Sequence, residues 1–365
     1  MMFHLSPLTA KRFRAFRRIR RAWYSLVALG AIFVFCMLAD VVCPVKPGAV
    51  ADPEALKGSV SPVEKVAYDV RTARYSRLPD GTIVDFEGPA DWRSRLDEYE
   101  ITEVDRGDHV RVYLEPKDPP KALGSETVMP NVAFPFAPCK GHPFGLDAGG
   151  RDVYTLVVHG MRIGLLFGLL LAFSGMFVGL VIGAIEGYFG GVTDLAGQRF
   201  TEIWSAIPFI YVMIFVGQTV GQSFGVLLFC YAIFNWIGVS YYMRAEFLRL
   251  RMRTFVEAAK CQGFSAARII FGHILPNALT PLITLFPFLL MGSIGSLAAL
   301  DFLGFGLPPM TPSCGELLNQ AMHNPSAWWL IVFPSAALFV VMLLTVLVGE
   351  GLRDAFDPRQ KSKLE

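Results

Sequence analysis

Residues able to do chemistry are sparse in this chain. Gly221-Gln-Ser223-Phe-Gly225 has the G-x-S-x-G spacing that presents a serine nucleophile when it sits on a strand-to-helix elbow. Here it is a short turn between two apolar runs, and a hydrolase reading would stand on Ser223 alone. Cys36, Cys43, Cys139, Cys230, Cys261 and Cys314 are scattered, with no C-x-x-C or Cys/His ligand spacing, which argues against a metal site. No G-x-x-x-x-G-K-[ST] run occurs, so a nucleotide used in the process binds another polypeptide. The informative stretch is mechanical. It runs Glu257-Ala258-Ala259-Lys-Cys-Gln-Gly263-Phe264-Ser-Ala-Ala-Arg268 and on to His273-Ile-Leu-Pro276-Asn, between two long apolar spans. Ala258 and Ala259 allow close approach of a helix to another surface. Gly263 permits a turn that a Cβ resists, and Pro276 removes a backbone donor where the next helix starts.

The elements that position this stretch are read from hydropathy and charge. The chain has 365 residues, 53% hydrophobic and 18% charged, with mean hydropathy +0.45. That is too apolar for a water-soluble protein of this length. A helix needs about 20 apolar residues to cross a bilayer, and six segments qualify: 23–42, 163–186, 200–220, 224–243, 278–300 and 327–349. The first is long enough to span, and Asp40-Val-Val-Cys-Pro44 does not look like a signal-peptide cleavage site, so it is expected as a retained helix.

Basic residues set the orientation. Residues 1–22 carry Lys11, Arg12, Arg14, Arg17, Arg18, Arg20 and Arg21 without an acid. Residues 244–268 carry Arg244, Arg249, Arg251, Arg253, Lys260 and Arg268, whereas 301–325 holds Asp301 and Glu316 and no base. Short loops rich in Lys and Arg stay in the cytoplasm. Both termini and the 244–276 loop are therefore expected inside, and 301–325 outside. The basic tail beside an apolar span points to anionic lipid rather than nucleic acid.

Residues 45–150 carry 13 basic and 18 acidic residues, a balance of −5. This translocated segment has a hairpin signal at Leu78-Pro-Asp-Gly81-Thr-Ile-Val-Asp-Phe86 and a strand-like run at His109-Val-Arg-Val-Tyr-Leu114. A small, partly β extracytoplasmic module is expected. Cys43, Cys139 and Cys314 share its compartment, where one disulfide is an open alternative. Within the spans, Gly160, Gly164 and Gly168 form one stripe and Gly175, Gly179, Gly183 and Gly187 another, each suited to close helix packing. Pro208, Pro281, Pro287 and Pro334 punctuate the spans. Asp40, Glu186, Glu202 and Glu350 fall near span ends, where snorkelling to the interface suffices. Asn235 is the best-placed mid-span polar group, suited to interhelical glue or to a substrate pathway. With no array of buried charges, an ion-coupled carrier is the weaker alternative.

The Glu257–Pro276 stretch resembles the EAA loop of ABC-importer permeases. Three further blocks are similar to the oligopeptide/dipeptide/nickel permease family: His142-Pro-Phe-Gly-Leu-Asp147-Ala-Gly-Gly-Arg151-Asp152 with His159-Gly-Met-Arg162, Asp301-Phe-Leu-Gly-Phe-Gly-Leu-Pro308-Pro, and Gly349-Glu-Gly-Leu-Arg353-Asp354-Ala-Phe-Asp357-Pro358-Arg359. Ser6-Pro7-Leu-Thr, the basic run after it and the long first outer segment look most like the Yej-type branch, which imports oligopeptides and microcin C-like peptides. The resemblance implies an all-α polytopic fold of six membrane helices with a MetI-like core and a small partly β insert between the first two. Its division is 1–22 tail, 23–43 first helix, 44–150 insert, 151–350 core and 351–365 tail. It also implies a second, homologous permease, a separate ATPase subunit holding ATP and Mg, and a periplasmic peptide-binding protein, with no cofactor on this chain. Glu257, Ala258, Ala259 and Gly263 would form the ATPase-docking core, with Phe264, Arg268 and Pro276 at its edge.

Overall fold

The computed structural model describes residues 14–356, apart from 57–58, 60–62, 69–71, 89–91, 108, 118–121 and 129–131. Ser6, Pro7, Lys11, Arg12 and the Asp357–Arg359 ending lie outside the described residues. The chain divides into two compact units, 52–132 and the remainder. Residues 133–150 thus group with the helices.

The smaller unit carries β1 (Val63–Tyr68), β2 (Ala73–Arg77), β3 (Ile83–Glu87), β4 (Tyr99–Asp105), β5 (Val110–Pro116) and β6 (Ala122–Val128). β1 and β6 pair with one another, and a four-stranded antiparallel sheet has the order β3-β2-β5-β4. The hairpin read from Leu78 to Phe86 is the β2–β3 connection, and the run at 109–114 is β5. Asp80 accepts from the Thr82 amide at 2.9 Å, which closes the turn and holds its carboxyl below the usual carboxylate range. Ala73, Trp92, Tyr99, Val112 and Leu114 form the buried centre of this sheet. β1, β4 and β6 escape sequence reading because none shows a clean two-residue alternation: β1 and β4 place charges out of step with it, and β6 is mostly small residues.

The larger unit is helical: α1 (Arg20–Met37), α2 (Val153–Phe189), α3 (Gly191–Ser205), α4 (Phe209–Thr219), α5 (Phe224–Asn235), α6 (Ile237–Leu250), α7 (Thr254–Cys261), α8 (Ala266–Ile269), α9 (Leu275–Phe302), α10 (Cys314–His323) and α11 (Trp329–Phe356). Among the described residues, five helical stretches are long and apolar enough to span a membrane, six if α3 and α4 count as one. That pair covers most of the expected 200–220 span and is bent by 64°. The bend follows from Pro208, which cannot donate to the helix and pushes Ile207 away from helical backbone angles. α2 starts ten residues before the hydropathy boundary at 163, because Asp152 caps it by accepting from the Thr155 amide at 2.9 Å.

The second glycine stripe is the seam between α2 and α6. A Cβ on Gly179 would lie 2.7 Å from the Trp236 carbonyl oxygen, and one on Gly183 would lie 2.5 Å from that of Ser240. Gly175 faces Asn235, whose amide donates to the Leu171 carbonyl at 3.1 Å. Asn235 therefore acts as glue between α2 and α5. The first stripe is not one seam: Gly160 meets the backbone at Ser313–Cys314, Gly168 meets Ile294, and Gly164 faces open space.

Two expectations need correction. The acidic 301–325 stretch is not simply a loop, since it contains α10, and Asp301 is 4% exposed. Asp301 accepts from the Leu307 amide at 2.7 Å and from the Ser313 hydroxyl, so it pins the chain reversal between α9 and α10. Glu186 does not snorkel; it is 3% exposed. Ser223 caps α5 by accepting from the Val226 amide at 3.2 Å. All six cysteines are free thiols, so the alternative of a disulfide among Cys43, Cys139 and Cys314 is not realised.

Candidate functional site

The connection is shorter than the 244–276 stretch suggested. α6 continues to Leu250, and helical structure resumes at Ala266. Residues 251–265 therefore form the true connection, with α7 at its middle. Val256 and Ala259, three apart on α7, are 0% and 4% exposed and pack with Phe247, Leu250, Ile269 and Ile274. Glu257, Ala258 and Lys260 occupy the opposite, exposed side. Glu257 in the first turn and Lys260 in the last both complement the helix dipole.

Gly263 ends α7 with φ +75°. Its amide donates to the Lys260 carbonyl at 2.9 Å, and the Phe264 amide donates to that of Ala259 at 3.2 Å. This pair of bonds is the Schellman closure, which places a left-handed residue after the helix and an apolar one next to it. Phe264 supplies the apolar contact: its ring stacks on His273 at 5.7 Å, and the Arg268 guanidinium lies 4.4 Å above it. Ser265 then caps α8.

Pro276 does not interrupt the following helix. Residues Ile270–Ile274 form one wide π turn, in which the Leu275 amide donates five residues back to Ile270. The wider turn makes room for the ring, so helical structure is continuous over 37 residues from Ala266 to Phe302.

The sequence-derived residues thus separate. Glu257, Ala258, Gly263, Arg268 and Pro276 are exposed, Phe264 is half-buried, and Ala259 is buried against the bundle. Ala259 anchors the element and offers no surface. Three exposed residues were missed: Met252 at 69%, Phe255 at 40% and Phe271 at 69%. Large apolar side chains in a polar, basic connection were the available signal. Met252 and Phe255 lie in the connection, and Phe271 in the helix that follows it, with Arg253, Lys260 and Arg268 also exposed nearby in sequence.

Residues 175–362 match the model of the binding-protein-dependent transport system inner membrane component, a range that includes this whole element. The chain is 34% identical to the inner membrane ABC transporter permease protein YejE of Escherichia coli K12, across 98% of this chain and 99% of that protein. It belongs to that family of permeases. It is also 34% identical to the peptidoglycan transport system permease protein YejE of Agrobacterium fabrum, covering 97% of this chain and 94% of the relative. The dipeptide transport permease DppC of Alkalihalophilus pseudofirmus is 36% identical over 62% of this chain and 74% of its own length. A chain from the inward-facing MetNI methionine transporter superimposes with a TM-score of 0.44 at 18% identity, covering 55% of this chain and 96% of that one. The Yej-type relatives extend across the β insert, whereas DppC matches a smaller share of the chain. This ABC permease is a multi-pass inner-membrane protein.

Proposed function

We propose that this permease forms one half of an ATP-driven importer of oligopeptides, pairing with a second, homologous permease. A separate ATPase subunit holding ATP and Mg docks on residues 251–276, and a periplasmic binding protein delivers the peptide. Both termini and the docking element face the cytoplasm, the basic amino-terminal tail lies on anionic lipid, and residues 52–132 and 301–325 face outward. The observation carrying this reading is α7, a short helix bolted to the bundle by Val256 and Ala259 while Glu257, Ala258 and Phe255 stay exposed. An element backed this firmly moves with α6 and α9 as a rigid body when its partner closes, the two-state behaviour that alternating access needs.

Gly263 tests the coupling. Its surroundings hold nothing within 4 Å of a Cβ, so a large side chain there clashes with little of this chain, although its φ of +75° strains the backbone of any L side chain. Gly263→Trp is expected to lower ATP-driven uptake at least tenfold in proteoliposomes while ATP hydrolysis persists. Gly263→Asn, which tolerates a positive φ, is expected to stay within threefold of wild type. Normal uptake by the tryptophan variant sinks the docking assignment. Oligopeptides are the proposed cargo because of the Yej-type relatives. The name of the Agrobacterium fabrum relative favours a second cargo, peptidoglycan. Competition between the two for labelled uptake separates them.

A further inference from the structure

Where α2, α3 and α6 meet, three charged side chains share one partly buried site. Arg244 of α6 donates to Asp194 of α3 through two nitrogens, the Nη2 contact at 2.7 Å. Glu186 of α2 is 3% exposed; its Oε2 accepts from Gln198 of α3 at 2.8 Å, while Oε1 has no hydrogen-bond partner among the described residues. Gly197 of α3 lies so close to Glu186 that any side chain there would strike the carboxyl group. A carboxyl oxygen buried without a partner is costly, and a cation within reach is its natural relief.

Arg244 is the cation that acts on Glu186 electrostatically. Its backbone is fixed: a Cβ on Gly183 would lie 2.8 Å from the Arg244 amide nitrogen, and one on Gly187 would lie 2.6 Å from its carbonyl oxygen. Glu186 sits between those glycines in sequence, and it and Arg244 act on one another electrostatically. The long arginine side chain can therefore swing while its helix stays in place. α2 and α6 form the tight pair, fastened further by Arg251, which donates to the Tyr188 carbonyl at 3.2 Å directly before α7. α3 is the looser neighbour, and beyond it comes the bend at Pro208.

We propose that Arg244 exchanges partners during transport, holding Asp194 in the conformation seen and Glu186 in the other. Paired with Asp194, it latches α3 to the α2–α6 pair. Paired with Glu186, it satisfies the orphaned oxygen within that pair and loosens α3, which keeps the Gln198 bond to Glu186 while Asp194 passes to water. Asp194, Arg244 and Glu186 are thus positioning residues that link the docking element to the bent α3–α4 segment. The inference rests on the coupling role given to residues 251–276.

The test uses the full importer in lipid nanodiscs, with spin labels at Val192 of α3 and Tyr242 of α6 introduced at genetically encoded sites. Removing one acceptor biases the exchange toward the other. Glu186→Gln is expected to enrich the short-distance, latched population at least fivefold, and Asp194→Asn to enrich the longer one by a similar factor. Both are expected to reduce uptake tenfold or more. A purely structural role would move both variants in the same direction. Shifts of the same sign, or an unmoved distribution in Glu186→Gln, overturn the exchange. If Asp194→Asn does not assemble, Glu186→Gln decides alone, since it removes the ionisable group and retains its shape. Distances recorded without ATP read the exchange itself; a failed docking assignment would instead abolish only the response to ATP.

Discussion

Ala258 and Ala259 are neighbours of identical type, yet one is exposed and the other is 4% exposed against Phe247 and Ile274. The contrast gives a direct experiment at the residue scale. Ala259→Arg forces a charge into a closed apolar cluster and is expected to destabilise the element by about 3 kcal/mol or more, read as loss of inserted protein. Ala258→Arg is expected to leave the amount of inserted protein unchanged while reducing co-purification of the ATPase at least fivefold. Equal recovery of the two proteins, with ATPase bound to both, would remove α7 from the interface. Gly263 was legible from sequence because only a left-handed residue closes a helix in this way. The partition of the two alanines was not legible, because periodicity over eight residues does not say which face meets the bundle.

At the scale of elements, glycine spacing revealed close packing but not its partner. Gly179 lies against the α6 backbone, whereas Gly164 faces open space, although both belong to four-residue repeats. Gly179→Leu is expected to separate α2 from α6 and to lower the midpoint of thermal aggregation by at least 5 °C, a shift of the size core overpacking produces. Gly164→Leu is expected to leave that midpoint within about 2 °C. Equal effects would mean that the α2–α6 seam is not the tight contact described. Proline spacing misled in another way. Pro208 ends a helix, whereas Pro276 is absorbed by a π turn, and Pro281, Pro287 and Pro334 remain inside helices. A proline's effect depends on whether the surrounding backbone can widen or must stop.

For the whole molecule, the 52–132 unit has its own sheet and buried centre. The chain on either side of it is held within the helical unit, where the Ala51 amide donates to the Gly150 carbonyl at 2.8 Å. Replacing 52–132 by a short Gly/Ser linker is therefore expected to leave an inserted helical unit with unchanged proteolytic resistance of residues 153–356. Degradation of that variant in membranes would show that the helices require the insert to fold.

Hydropathy alone determined that this chain crosses a bilayer several times, since no other solvent tolerates such runs, and charge alone marked one polar connection as distinct. Four ordered blocks carried the family. The tertiary structure decided which face of α7 is buried, that Glu186 is enclosed rather than directed to the interface, and that Arg244 pairs with Asp194. Those features depend on side chains brought together from three helices, and sequence spacing within any one helix carries no record of what the neighbouring helices place against it.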